Sequence, residues 1–221
     1  MFQTFSLRHV EYLAQAGTWT LVLSAIALAG GSILGSAVAL ARISPLRPVR
    51  ALAQVYLFVI QGTPLLVLLF IAYFGMAFAG LDVPSLVAAA IAFALYAAAF
   101  LGDIWRGAMQ AVGRGQWEGA AALGLGWWRT LGLVVVPQAI RIAVPPTLGF
   151  CVQLVKNTAL ASVIGFVELT RAGQIVSNST FQPLKVFLTV GAMYFVICFT
   201  LSFVTRQLEA RVPHIQPIPI Q

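Results

Sequence analysis

Polar residues are scarce along this chain, and where they occur they divide it into long apolar blocks. The blocks fall at about 18–41, 51–79, 85–110, 131–154 and 184–208. Each reaches roughly the 20 residues that a helix needs to cross a hydrocarbon core about 30 Å thick. Lipid offers the backbone no hydrogen-bond partner, so a spanning segment must be helical or part of a closed barrel. The alternating pattern of a barrel strand is absent. The expected fold is therefore an all-α integral membrane protein of about five transmembrane helices, forming a single transmembrane domain over 1–221.

The blocks differ in character. A short amphipathic lead-in, 1–16, carries Arg8, His9 and Glu11, and no removable signal peptide is evident there, so the first long helix is expected to act as the insertion signal. The first block is rich in Gly, Ala and Ser, among them Gly30, Gly31, Gly35 and Ser36, which allow helices to approach closely in lipid. The second is interrupted by Gln61-Gly62-Thr63-Pro64, where the proline removes a backbone donor and frees a carbonyl at membrane depth. Broken helices of this kind line cavities. Pro137, Pro145 and Pro146 are expected to bend the fourth block, Trp127, Trp128 and Arg129 read as an interfacial belt before it, and the tail from His214 to Gln221 is punctuated by prolines.

Composition confirms the solvent. Of the 221 residues 60% are hydrophobic and 9% charged, more apolar surface than one soluble core could bury. The net charge of +7 does not form a basic patch interleaved with aromatics, and nucleic-acid binding is set aside. With the amino terminus outside, the inner loops and tail hold Arg42, Arg47, Arg50, Arg106, Arg114, Arg129, Arg141, Arg206 and Arg211. The outer side keeps Arg8, Lys156, Arg171 and Lys185. The excess on one side predicts amino terminus out and carboxyl terminus in. Cys151 and Cys198 lie in apolar runs without metal-ligand spacing and read as buried thiols.

One segment, about 114–128, does not look like membrane. It contains Gly115-Gln116-Trp117-Glu118-Gly119-Ala120-Ala121-Ala122-Leu123-Gly124. A helix from Arg114 capped by Gly124 would be about two turns long, with Trp117 and Ala121 on one stripe and Glu118 and Ala122 on the next. Its small residues make a low ridge suited to a partner's groove, and Glu118 adds an oriented charge.

This pattern is more specific than a chance run of alanines. Glu118-Gly119-Ala120, then Gly124, then Val134 and Val136-Pro137 resembles the EAA motif of binding-protein-dependent ABC importer permeases, and within them the permeases for polar amino acids. Further support comes from Gln61-Gly62-Thr63-Pro64-Leu65-Leu66, Arg106-Gly107-Ala108-Met109-Gln110, Lys156-Asn157-Thr158-Ala159-Leu160 and Glu168-Leu169-Thr170-Arg171. The resemblance implies a type I permease in a bacterial inner membrane, with a second permease subunit, copy or paralogue, completing the pathway. It implies two ABC ATPase subunits gripping the coupling segment through Gln116, Glu118, Gly119, Ala120, Ala121 and Gly124. It also implies an extracytoplasmic binding protein delivering the amino acid. ATP and its Mg would sit on the ATPase, since this chain has no Gly-x-x-x-x-Gly-Lys-Ser/Thr loop and no cofactor is expected in it.

The family's alanine after the glutamate is Gly119 here, a change that costs roughly 0.5–1 kcal/mol of helix propensity. Thr63, Tyr96, Asp103, Lys156, Asn157, Thr158 and Ser162 are candidates for the substrate path. Asp103 has a competing reading as an interfacial partner of Arg106 or Arg114. Asn157 stands where the family commonly has aspartate, which tilts the expected substrate toward acidic or neutral polar amino acids. An intramembrane protease would need paired catalytic groups that the spans lack, and a stand-alone secondary transporter would show an internal repeat that is not visible.

Overall fold

A computed structural model describes residues 4–211, and the proline-punctuated tail from His214 to Gln221 lies outside the described residues. Among the described residues the chain is helical, without strands.

The long helix α1 spans Leu7–Ile43, so the amphipathic lead-in continues into the first span without a break. No proline interrupts 7–43, and one stripe is buried: Leu13, Ala16, Thr20, Leu23, Ala27, Gly31, Gly35 and Ala39. That spacing of three and four is the signature of one helix face laid against a neighbour. The opposite face is equally apolar but exposed, with Trp19, Ile26, Ile33 and Leu34 outward, as suits a helix whose other neighbour is lipid.

The partner of the stripe is α4, Ser85–Ala111, which buries seven alanines between Ala88 and Ala108 together with Phe93, Leu101 and Gly102. Here the glycines act through close approach. A Cβ on Gly31 would collide with the Cβ of Ala97, and one on Gly102 would stand 2.8 Å from the Val38 side chain. Lipid supplies no hydrophobic drive for helix pairing, so this intimate contact supplies dispersion energy instead.

Between them lie α2, Arg47–Gly62, and α3, Leu65–Phe78, bent by 103° at Thr63-Pro64. The expected interruption of the second block is thus a full corner. Among the described residues four helical segments are long and apolar enough to cross a membrane, and five if α2 and α3 together make one broken span. The Tyr56 hydroxyl donates to the Leu95 carbonyl at 2.7 Å, tying α2 to α4.

After α4 come the short α5, Arg114–Ala122, and α6, Trp127–Thr130. A wide π turn, Leu131–Val135, then leads into α7, Val136–Asn157. Pro137 at the start of α7 cannot donate to the turn before it, and a π turn is a familiar way to absorb such a mismatch. α7 runs as one helix through Pro145 and Pro146. It tightens into a 3₁₀ segment, Thr158–Ile164, closed by Gly165 at φ +82°. α8, Leu169–Thr180, and α9, Pro183–Arg211, complete the described residues.

Candidate functional site

The coupling segment forms the helix its sequence predicts. α5 is nine residues long, and Gly124 follows its cap with φ +74°, a left-handed conformation open to glycine at no steric cost. The Leu125 amide donates to the Ala120 carbonyl at 3.1 Å and the Gly124 amide to the Ala121 carbonyl at 2.9 Å. These two bonds make the Schellman closure of a helix end. The stripe that faces the protein is Trp117 and Ala120, not Trp117 and Ala121. Ala120 is buried, and Trp117 packs against the core cluster that includes Met109, Leu131 and Val135.

Ala120 therefore belongs to the mounting of the helix rather than to its outer ridge. Glu118, Gly119, Ala121, Ala122 and Leu123 are exposed, and Leu123 is 80% so. Gln116 is also exposed, and its carbonyl oxygen accepts a 3.2 Å bond from Gln138 on α7. An exposed ridge of one carboxylate, small residues and an uncovered leucine has the make-up of a docking surface.

A second cluster lies where α4 meets the far end of α7. Tyr96, Phe100 and Phe150 form an aromatic trio, with ring centroids 4.5 to 6.2 Å apart. The Asn157 side chain stands near the Tyr96 hydroxyl. Asn157 also accepts a 3.1 Å bond from Gln153. Tyr96 and Asn157 are thus brought together as a polar tip on an aromatic wall.

The other candidates are dispersed. Thr158 and Ser162 are buried in the 3₁₀ segment, where the Thr158 hydroxyl donates to the Val155 carbonyl at 2.7 Å. Thr63 spends its hydroxyl on the Val59 carbonyl at the α2–α3 corner. Asp103 belongs to the interfacial reading: Arg106 lies 3.0 Å from it and Arg42 3.9 Å. Of the two partners offered, Arg106 is the one present, Arg42 on α1 joins it, and Asp103 lies apart from the cluster around Tyr96. Among the described residues every ion pair falls on Asp103.

Lys156 points elsewhere again. It is exposed on an open groove of about 590 Å³ shared with α9, lined also by Tyr194, Cys198, Ser202 and Arg206. Phe195, Phe199 and Phe203 stand along it at one-turn spacing, and the first two are stacked at 5.6 Å.

Sequence reasoning quoted Glu168 only as part of a motif. Structurally it is a fully buried carboxylate between the spans. One oxygen accepts the Arg171 amide at 2.8 Å; the other accepts the Thr170 amide at 2.9 Å and the Tyr194 hydroxyl at 2.7 Å. Beside it the Leu169 amide donates to the Thr20 hydroxyl on α1 at 3.2 Å. Burial pushes the Glu168 carboxyl above its ordinary value, against the opposing pull of those bonds. A signal existed, since an acid followed by Leu-Thr-Arg after a glycine break reads as a helix cap; its reach to α9 did not.

The chain matches the family of binding-protein-dependent transport system inner membrane components over residues 31–214. It is 34% identical to the probable amino-acid ABC transporter permease protein YckA of Bacillus subtilis (strain 168), over 95% of this chain and 92% of that protein. It is also 34% identical to the glutamine transport system permease protein GlnP of Escherichia coli (strain K12), over 91% and 93%. Its fold superposes on a crystal structure of an amino acid ABC transporter with histidines at a TM-score of 0.89. That match has 31% identity and covers 95% of this chain and all of that one.

Proposed function

The chain belongs to the binding-protein-dependent transport system inner membrane components, and we propose that it forms half of the pathway of an ATP-driven importer for polar amino acids. It is a multi-pass inner-membrane protein and the transport component rather than a catalyst. The observation that carries the coupling role is α5: a self-closed helix that keeps Glu118, Gly119, Ala121, Ala122 and Leu123 uncovered. Two ATPase subunits, binding ATP and Mg, would seat on this ridge and on its equivalent in a second permease subunit. An extracytoplasmic binding protein would deliver solute to the other face, with the amino terminus of this chain on that outer side.

The polar cluster supports a solute that is acidic or neutral. Asn157 offers an amide where a carboxylate would favour a cation, and Lys156 stands exposed with no acid in ion-pair range among the described residues. Relatives named for glutamine accord with that reading.

Co-purification from membranes, followed by ATPase measurement with the binding protein and candidate amino acids, tests the proposal. The expected result is an ATPase subunit in stable association, stimulated by loaded binding protein. Recovery of the permease without any ATPase subunit would overturn it.

A further inference from the structure

A helix cap needs neither a carboxylate nor complete burial, because a serine or asparagine satisfies the same first-turn amides. Glu168 has both, and burying an ion is costly unless every lone pair is used. The bond that a shorter cap could not make is the 2.7 Å one to the Tyr194 hydroxyl, 26 residues further along on α9. That hydroxyl is also 3.0 Å from the Thr170 hydroxyl, so Tyr194 is held from two sides. Tyr194 is in turn part of the wall of the groove that exposes Lys156.

The same carboxylate anchors the start of α8. The neighbouring Leu169 amide is fastened to Thr20 on α1, and Phe166 packs edge-on against Trp19 at 6.3 Å between centroids. Upstream, only the turn 165–168 separates this anchor from the 3₁₀ segment carrying Thr158 and Ser162. One buried group thus sets the position of two things: the downstream end of the polar segment, and a tyrosine on the α9 groove.

From this we infer that Glu168 is a positioning residue for transport. Its carboxylate locks the Tyr194 ring into the wall of the Lys156 groove and holds the 158–164 segment in register with it, without touching solute. The inference rests on the importer reading above, and locates within it a determinant of how efficiently ATP hydrolysis is converted into solute movement.

The test uses the assembled importer with its binding protein in proteoliposomes, and reads glutamine accumulated per ATP hydrolysed alongside thermal stability. Glu168→Asp keeps an acid at the cap but withdraws it from Tyr194; Glu168→Gln keeps the reach. Tyr194→Phe keeps the ring and removes the hydroxyl. Loss of a hydrogen bond to a charged group corresponds to about a tenfold effect. Glu168→Asp and Tyr194→Phe are each expected to lower the ratio by about that factor. Glu168→Gln should remain within about twofold of wild type, and the double variant Glu168→Asp, Tyr194→Phe should fall no further than either single one.

A purely structural network would lower the melting temperature and leave the ratio unchanged, and that result overturns the inference. So does a Glu168→Gln ratio as low as that of Glu168→Asp, or losses that multiply in the double variant. If Glu168→Asp does not assemble, Tyr194→Phe decides alone: a ratio within about twofold of wild type overturns the inference. A wild-type complex that accumulates none of the amino acids would instead overturn the importer reading itself.

Discussion

The coupling helix and the polar segment at the end of α7 are both short and irregular by the standard of the spans, yet they are built in opposite ways. α5 is closed by its own residues, the amides of Gly124 and Leu125 bonding to carbonyls three and five positions back. Trp117 and Ala120 turn toward the rest of the protein, and Gln116 is bonded to Gln138. The 158–168 segment is held by Thr20 from α1, Tyr194 from α9 and the packing of Leu65, Leu69 and Phe93 around Ile164 and Phe166. A surface proposed for a partner can be self-contained, whereas a segment buried among the helices is held by those on every side of it. The difference teaches where damage will be local and where it will spread.

The contrast is broken most directly at Glu118. Glu118→Lys should reduce ATPase recovery and uptake on the order of a hundredfold, because a reversed charge at a docking ridge costs several kcal/mol. Its melting temperature in detergent should match wild type. A comparable loss of permease stability would mean that α5 is not the autonomous element described here.

On the other side of the comparison, Asn157→Asp places a carboxylate beside Tyr96 and should raise uptake of cationic amino acids relative to glutamine by about tenfold. Competition assays with arginine and glutamine would show it; an unchanged ranking would contradict the assignment of Asn157 to the solute path.

Gly124→Ala is a finer probe. At φ +74° an alanine costs about 1 kcal/mol, which should loosen α5 and weaken ATPase retention about fivefold while leaving the spans intact. Salt-dependent dissociation of the purified complex measures it.

The smallest effect belongs to Glu168 and to pH. Its folded value is raised above that of the unfolded chain, so the folded state takes up the proton more readily. The stability this contributes is fully present below the unfolded value and is lost as pH rises through the folded one. Melting curves between about pH 4 and about pH 7 should therefore favour wild type over Glu168→Gln progressively toward the acid end. A difference independent of pH would contradict the burial assigned to this group.

Particular residues show how much of this was legible beforehand. α5 could be read almost to the residue, because Arg114, the alanines and Gly124 belong to one short stretch of about three turns. The break at Thr63-Pro64 was legible from the proline, but its angle of 103° was not, since that depends on how α2 and α3 pack against α4. Asp103 was open to two readings; its pairing with Arg106 was among those the sequence offered, while the second arginine came from α1, 61 positions earlier in the chain. Ala120 and Ala121 are alike in sequence; only the burial of the first separates mounting from ridge.

What the sequence determined by itself was therefore everything governed by short range or by solvent: apolar length, hence helices in a membrane; basic residues at span ends; a glycine-closed helix; and a motif with its spacing. Tertiary structure alone decided which polar groups meet. Tyr96 found Asn157, Asp103 found Arg42, and Glu168 found Tyr194, across separations of 61, 61 and 26 residues. Such pairings depend on the crossing of whole helices: the small residues of the first block announced a close approach, but that α4 is the partner and at which register is set only by the contacts of Gly31 and Gly35 with Ala97, Ala98 and Leu101.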